Sequence, residues 1–115
     1  MSAYGSSLRL FEDLDRLVSQ SYRILVPSMV IDELKLVSGG KGRAAAAARL
    51  GLMLAARYEP VPVVAPDADH AIVKLAKQYG DRAVVCTNDA HLKNILKEHN
   101  TRVIGVRDYS HLDFL

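Results

Sequence analysis

Glu33, Asp69 and Asp89 are the residues whose types and positions could do chemistry together. Asp89 stands where an apolar run, Ala83-Val84-Val85-Cys86, gives way to Thr87-Asn88-Asp89 and then to Leu92, Ile95 and Leu96 at helical spacing. That pattern reads as strand, tight turn and helix. Glu33 falls within the helix expected after an earlier strand, and Asp69 in the first turn of the helix expected after Pro66. Right-handed crossovers between parallel strands bring such junctions to one edge of a sheet, so the three carboxylates are expected to converge. Two carboxylates about 5 Å apart repel by roughly 3 kcal/mol at an effective dielectric near 20, a large share of a small domain's stability. A divalent cation offsets that repulsion directly, and hard oxygen ligands suit Mg²⁺ or Mn²⁺ better than zinc.

Each acid also has a plainer reading. Asn88 or Asp89 can simply cap the helix that follows, a common use of these residue types. Asp67 and Asp69 compete for the cap of one helix, leaving the other to face a site. Glu33 lies beyond the first turn, where neither a cap nor the helix dipole explains an acid, so its alternative is a solvated helix face. Asp32 projects about 100° away from it and is expected in solvent. His70, His91, His99 and His111 are scattered singly without metal-ligand spacing, and no serine, histidine and acid arrangement supports acyl transfer.

The elements that must position these acids follow from periodicity. Leu10, Phe11, Leu14, Leu17 and Val18 trace one stripe, predicting an amphipathic helix from Ser6 to Ser19 with Ser6 or Ser7 as its cap. Tyr22 to Val26 reads as a short strand ended by Pro27, and Ser28 opens a helix to about Val37. The connection Ser38 to Arg43 is glycine-rich but lacks the phosphate-loop order Gly-x-x-x-x-Gly-Lys-Ser/Thr, and a helix precedes it rather than a strand. Ala44 to Tyr58 has strong helix composition, its alanines suggesting close packing, with Met53 expected in the core. Pro60, Pro62 and Pro66 relegate Val61 to Ala65 to a sheet edge or a connector. Asp67 to Tyr79 is helical with Gly80 ending it, and Ile72, Val73, Leu75 and Ala76 face inward. The helix after Asp89 runs to about His99, with Asn100 left-handed at its end, and Thr101 to Val106 is the last strand. The tail Arg107 to Leu115 carries no assignment. This order indicates α/β architecture with a central, mainly parallel sheet.

With 115 residues, half of them hydrophobic, and a net charge of +2, the chain is a single folded domain and not a disordered segment. So small a charge permits an anionic partner, whereas a dedicated duplex binder carries denser basic clusters. The single cysteine, Cys86, excludes an intramolecular disulfide, is expected to pack as a small apolar residue, and fits a cytoplasmic setting. No apolar run is long enough to span a bilayer, so no membrane partner is expected.

The segments Val26-Pro27-Ser28-Met29-Val30-Ile31-Asp32-Glu33-Leu34, Ala68-Asp69-His70-Ala71-Ile72-Val73-Lys74-Leu75-Ala76 and Val85-Cys86-Thr87-Asn88-Asp89-Ala90-His91-Leu92 together resemble a PIN domain. This is the small three-layer α/β fold of metal-dependent ribonucleases found in toxin–antitoxin toxins and ribosomal RNA processing factors. The similarity runs from Ser6 to Val106 and implies a single PIN-like domain over residues 1–115. It also implies Glu33, Asp69 and Asp89 as metal-binding catalytic acids for Mg²⁺ or Mn²⁺, with Thr87 a hydroxyl beside them that orients a carboxylate or water. The implied substrate is RNA, held mainly through its phosphates, for which Lys41, Arg43, Lys93 and Arg107 are candidates; Lys93 could equally pair with Asp89 one turn earlier. An antitoxin or a ribosome-assembly partner follows from the same resemblance.

One departure stands out. Family members begin with a central strand ending in an aspartate, whereas Met1-Ser2-Ala3-Tyr4-Gly5 leads almost directly into the first helix, and Glu12, Asp13 and Asp15 lie on that helix's polar side. The expectation is a sheet whose first strand is missing, supplied from upstream of Met1, by another copy or segment, or lost through rearrangement. Its unpaired edges make a homodimer an expectation too. The rival readings are a catalytically incomplete PIN-like module that binds RNA or protein, and an α/β domain with a structural assembly role.

Overall fold

A computed structural model describes residues 7–107 and 111–115. The Met1 to Gly5 segment, the Ser6 cap and the side chains of Leu10 and Arg107 lie outside the described residues. The chain packs as two compact units, one spanning Tyr22–Ala71 and the other Ile72–Leu115 together with the described residues up to Ser21.

The first unit is built on a helix hairpin. Helices α2 (Ser28–Ser38) and α3 (Arg43–Ala55) pack on one another. Ala45, Ala48 and Ala55 form a buried stripe along α3, and Leu34 of α2 sits over Gly51, where a Cβ would meet its methyls at 3.4 and 3.5 Å. The alanine run therefore serves the close helix packing its composition suggested. Arg49 Nη1 donates to the Ser38 carbonyl at 2.8 Å, tying α3 to the end of α2. Met53 is 70% exposed and not in the core: it precedes Ala55 by two residues, roughly 160° around the helix from that buried alanine. Strand β1 is only Val26–Pro27 and pairs in parallel with β2, Pro60–Val61. The expected strand from Tyr22 shrinks to two residues because each partner contains a proline, which removes a ladder donor.

The second unit carries a three-stranded sheet in the order β3 (Val84–Cys86), β4 (Arg102–Arg107), β5 (His111–Phe114). β3 and β4 are parallel, β4 and β5 antiparallel. β5 lies in the tail for which the sequence carries no assignment; its alternation of Leu112 and Phe114 with His111 and Asp113 is a strand signal only four residues long. Helix α4 (Ala68–Tyr79) runs from the first unit into the second, where Ala76 joins Leu92 and Leu96 of helix α5 (Ala90–Glu98) and Val103 of β4 in the core. Ile72, Val73, Ala83, Val85 and Leu115 pack against that cluster. Gly80 ends α4 at φ +59° and Asn100 follows α5 at φ +60°, both as the sequence indicated.

Helix α1 (Ser7–Leu17) closes the free edge of β5. Asp13 Oδ2 accepts the Leu112 N–H at 2.9 Å, and Arg16 Nη2 donates to the Leu112 carbonyl at 3.1 Å. One acid and one base thus satisfy both backbone groups of an edge residue, which otherwise invite another strand. Within the described residues the strands form two sheets, and β1 and β3 each pair with one neighbour.

Leu96 is 1% exposed at the centre of the second unit's core. Truncation in Leu96→Ala is expected to cost about 2–5 kcal/mol, the range for emptying a packed leucine site, read as a lower urea midpoint; an unchanged midpoint would contradict the placement of this core.

Candidate functional site

The Thr87-Asn88-Asp89 turn is the best-defined part of the site. Thr87 N–H donates to the Ile104 carbonyl at 2.9 Å, extending the β3–β4 ladder one residue past Cys86. Thr87 Oγ1 then accepts the Asp89 N–H at 3.1 Å, and Asp89 Oδ1 accepts the Leu92 N–H at 2.9 Å as the N-cap of α5. The capping role of Asp89 is therefore real. It occupies one carboxylate oxygen, while the exposed side chain keeps a second oxygen at the carboxyl end of a parallel strand, the usual place for ligands in such sheets. Thr87 uses its oxygen as an acceptor and keeps its proton to donate. Lys93 bonds Asp89 through its backbone, N–H to carbonyl at 2.9 Å, and the side-chain ion pair expected one turn apart is not formed. Cys86, expected among apolar neighbours, is exposed at the end of β3.

Gly105 makes this turn possible. A Cβ there would lie 2.8 Å from the Thr87 carbonyl oxygen, 3.2 Å from Asn88 Nδ2 and 2.5 Å from Leu115 Cδ1. The signal for it in the sequence is slight: an isolated glycine within a strand, a sign of close backbone approach.

In the first unit, Glu33 lies on the exposed side of α2, and its carboxylate has no partner among the described residues. Asp32 is exposed as expected. The competition at the start of α4 resolves for Asp67: its Oδ1 accepts the His70 N–H at 2.8 Å and lies 2.7 Å from the His70 ring Nδ1. The backbone N–H of His70, followed by its ring, holds the Asp67 carboxyl below the usual range. Asp69, half-buried in the first turn of α4, is left free of the capping role. Lys41 is exposed in the glycine-rich connection, and Arg43 is exposed as the first residue of α3.

Carboxylate oxygens are the right donor type for Mg²⁺ or Mn²⁺. Among the described residues, however, no three His, Cys, Asp or Glu side chains are grouped to hold a metal ion. Glu33 and Asp69 belong to the first unit and Asp89 to the second. The donor chemistry of all three carboxylates fits the ion.

Comparison with known proteins identifies the family. The profile described as a PIN like domain matches residues 1–109. The chain is 30% identical over 104 residues to Ribonuclease VapC4 of Methanocaldococcus jannaschii, covering 88% of this chain and 79% of that protein. The PIN domain endonuclease Utp24 shares the fold with a TM-score of 0.70 at 24% identity, over 91% of this chain and 76% of that one. The chain belongs to the PIN-like domain family, and its α/β fold is that of the family.

Gly105→Ala should destabilise the protein by about 1–3 kcal/mol through overpacking and shift the backbone NMR resonances of Thr87 and Asn88; unmoved resonances would refute the close approach. Asp67 supplies a pH dependence. Because its folded carboxyl is held low, its stabilisation is complete above the ordinary carboxylate range and is lost as pH falls through the lowered value. Asp67→Asn keeps a capping side chain but has no such titration, so the thermal midpoint of the wild type should fall relative to that of the variant on acidification from about pH 5 to about pH 2. A pH-independent difference rules this out.

Proposed function

We propose that residues 1–115 form a single PIN-like domain acting as a metal-dependent endoribonuclease that hydrolyses RNA phosphodiesters. The carrying observation is the 30% identity, over 88% of the chain, with a protein named as a ribonuclease. The arrangement at Asp89 supports it: a carboxylate at a strand's carboxyl end, with one oxygen uncommitted and a threonine hydroxyl two residues away. Glu33, Asp69 and Asp89 are the proposed metal-binding acids, with Mg²⁺ or Mn²⁺ activating water and neutralising charge on the scissile phosphate when bound. Asp89 offers its second oxygen, Thr87 donates its hydroxyl proton to orient a carboxylate or water, and Glu33 and Asp69 contribute carboxylates not spent on helix caps. Lys41, Arg43 and Lys93 are proposed phosphate contacts.

Asp89→Asn separates charge from structure, because asparagine caps a helix as well as aspartate does. With Mn²⁺ and a single-stranded RNA substrate, the variant is expected to keep its fold and lose activity by roughly 100-fold. Equal rates would remove Asp89 from the reaction.

A second reading is favoured by the lack of any three-acid group among the described residues: a catalytically incomplete module that binds RNA or protein. Calorimetric titration with Mn²⁺ separates the two, since the nuclease binds the ion specifically and the incomplete module does not.

A further inference from the structure

A recess of about 500 Å³ opens at the far end of α5 from Asp89, lined by Lys97, Asn100, Arg102, Val103, Phe114 and Leu115. It lies wholly within the second unit. Two cations reach it, Lys97 from the last turn of α5 and Arg102 from the first position of β4, and both are exposed. Neither has an ion-pair or hydrogen-bond partner among the described residues. No acidic side chain of the described residues lines the recess. The acids adjacent in sequence to lining residues are Glu98, exposed as the last residue of α5, and Asp113, whose Oδ1 accepts the Phe114 N–H at 2.9 Å.

The end of a helix is ordinarily a poor place for an anion, because its last carbonyls carry negative partial charge. Here two of those carbonyls, Leu96 and Lys97, already accept hydrogen bonds. Thr101 N–H donates to Leu96, Asn100 N–H to Lys97, and His99 N–H to Leu96, at 2.9, 3.0 and 3.1 Å. The left-handed Asn100 turns the chain so that Lys97 and Arg102, on either side of the bend, line the same recess. The rest of the lining includes the apolar and aromatic Val103, Phe114 and Leu115. A cationic rim beside an aromatic wall fits a ligand that is an anion at one end and a flat apolar ring at the other, which is the chemistry of a nucleotide.

Spacing links the recess to the turn. Asp89, Lys93 and Lys97 follow one another at intervals of four, so both lysines lie along the helix face that begins at Asp89. Eight residues of helix place Lys97 about 12 Å from the Asp89 end, a reach of a few nucleotides of extended chain. We propose that this recess is a subsite for one nucleotide of single-stranded RNA flanking the reacting segment, with its phosphate between Lys97 and Arg102 and its base against Phe114. The proposal rests on RNA as the ligand of this chain, but on none of the metal chemistry.

The test is binding of a short single-stranded RNA in EDTA, followed by amide chemical shifts and by fluorescence anisotropy over a salt series. The RNA is expected to shift the amides of Asn100, Arg102 and Phe114. The double variant Lys97→Gln, Arg102→Gln, at two exposed positions, is expected to bind more weakly and to lower the slope of log affinity against log salt by about 1.4, the value for two lost contacts to a single strand. Phe114→Ala is expected to weaken binding by roughly 5-fold or more while leaving that slope unchanged; should it unfold, the double variant decides alone. Unshifted amides, or an unchanged slope in the double variant, overturn the subsite, including when the protein cleaves RNA. Shifts confined to this recess in a protein that never cleaves RNA support the subsite and count against the nuclease.

Discussion

The parallel pairing of β3 with β4 is the constraint on which the candidate site depends. Its last hydrogen bond, from Thr87 N–H to the Ile104 carbonyl, decides where the strand stops and the turn begins. One residue further along β4, Gly105 leaves the space that the Thr87 carbonyl fills. The turn can then fold back tightly enough for the Thr87 hydroxyl to take the Asp89 N–H and for Asp89 to start α5. A side chain at Gly105 would push against backbone, which cannot swing aside as a flexible side chain does.

The same few polar groups hold structure and remain available for chemistry. Asp89 is at once a helix cap and a carboxylate with an unspent oxygen. Asp67, by contrast, places one oxygen against both the backbone and the ring of His70 and is absorbed into structure. That absorption releases Asp69, two residues on. Sequence neighbours of identical charge therefore part company through a single hydrogen-bond choice at the start of α4.

The edges of the three-stranded sheet are treated unequally. At β5, Asp13 and Arg16 supply the acceptor and the donor that Leu112 needs, so this edge is closed by side chains. At β3, the unalternating Val84-Val85-Cys86 has a partner on one side only among the described residues, and Cys86 stands exposed. A run apolar on both faces belongs in a sheet interior, so β3 has the composition of an inner strand although only one of its edges is paired among the described residues.

The sequence by itself determined the local elements: the strand-turn-helix at Asp89, the helix ends at Gly80 and Asn100, and the alanine face of α3. These rest on caps, backbone conformation and periodicity, all carried by residues within a turn or two of each other. Tertiary structure decided the rest. It set β5 against α1 through contacts 96 and 99 residues apart, exposed Met53, made Gly105 indispensable and let Lys97 and Arg102 share one recess. None of these leaves a local pattern, because each depends on which distant backbone group happens to lie within hydrogen-bonding or van der Waals reach.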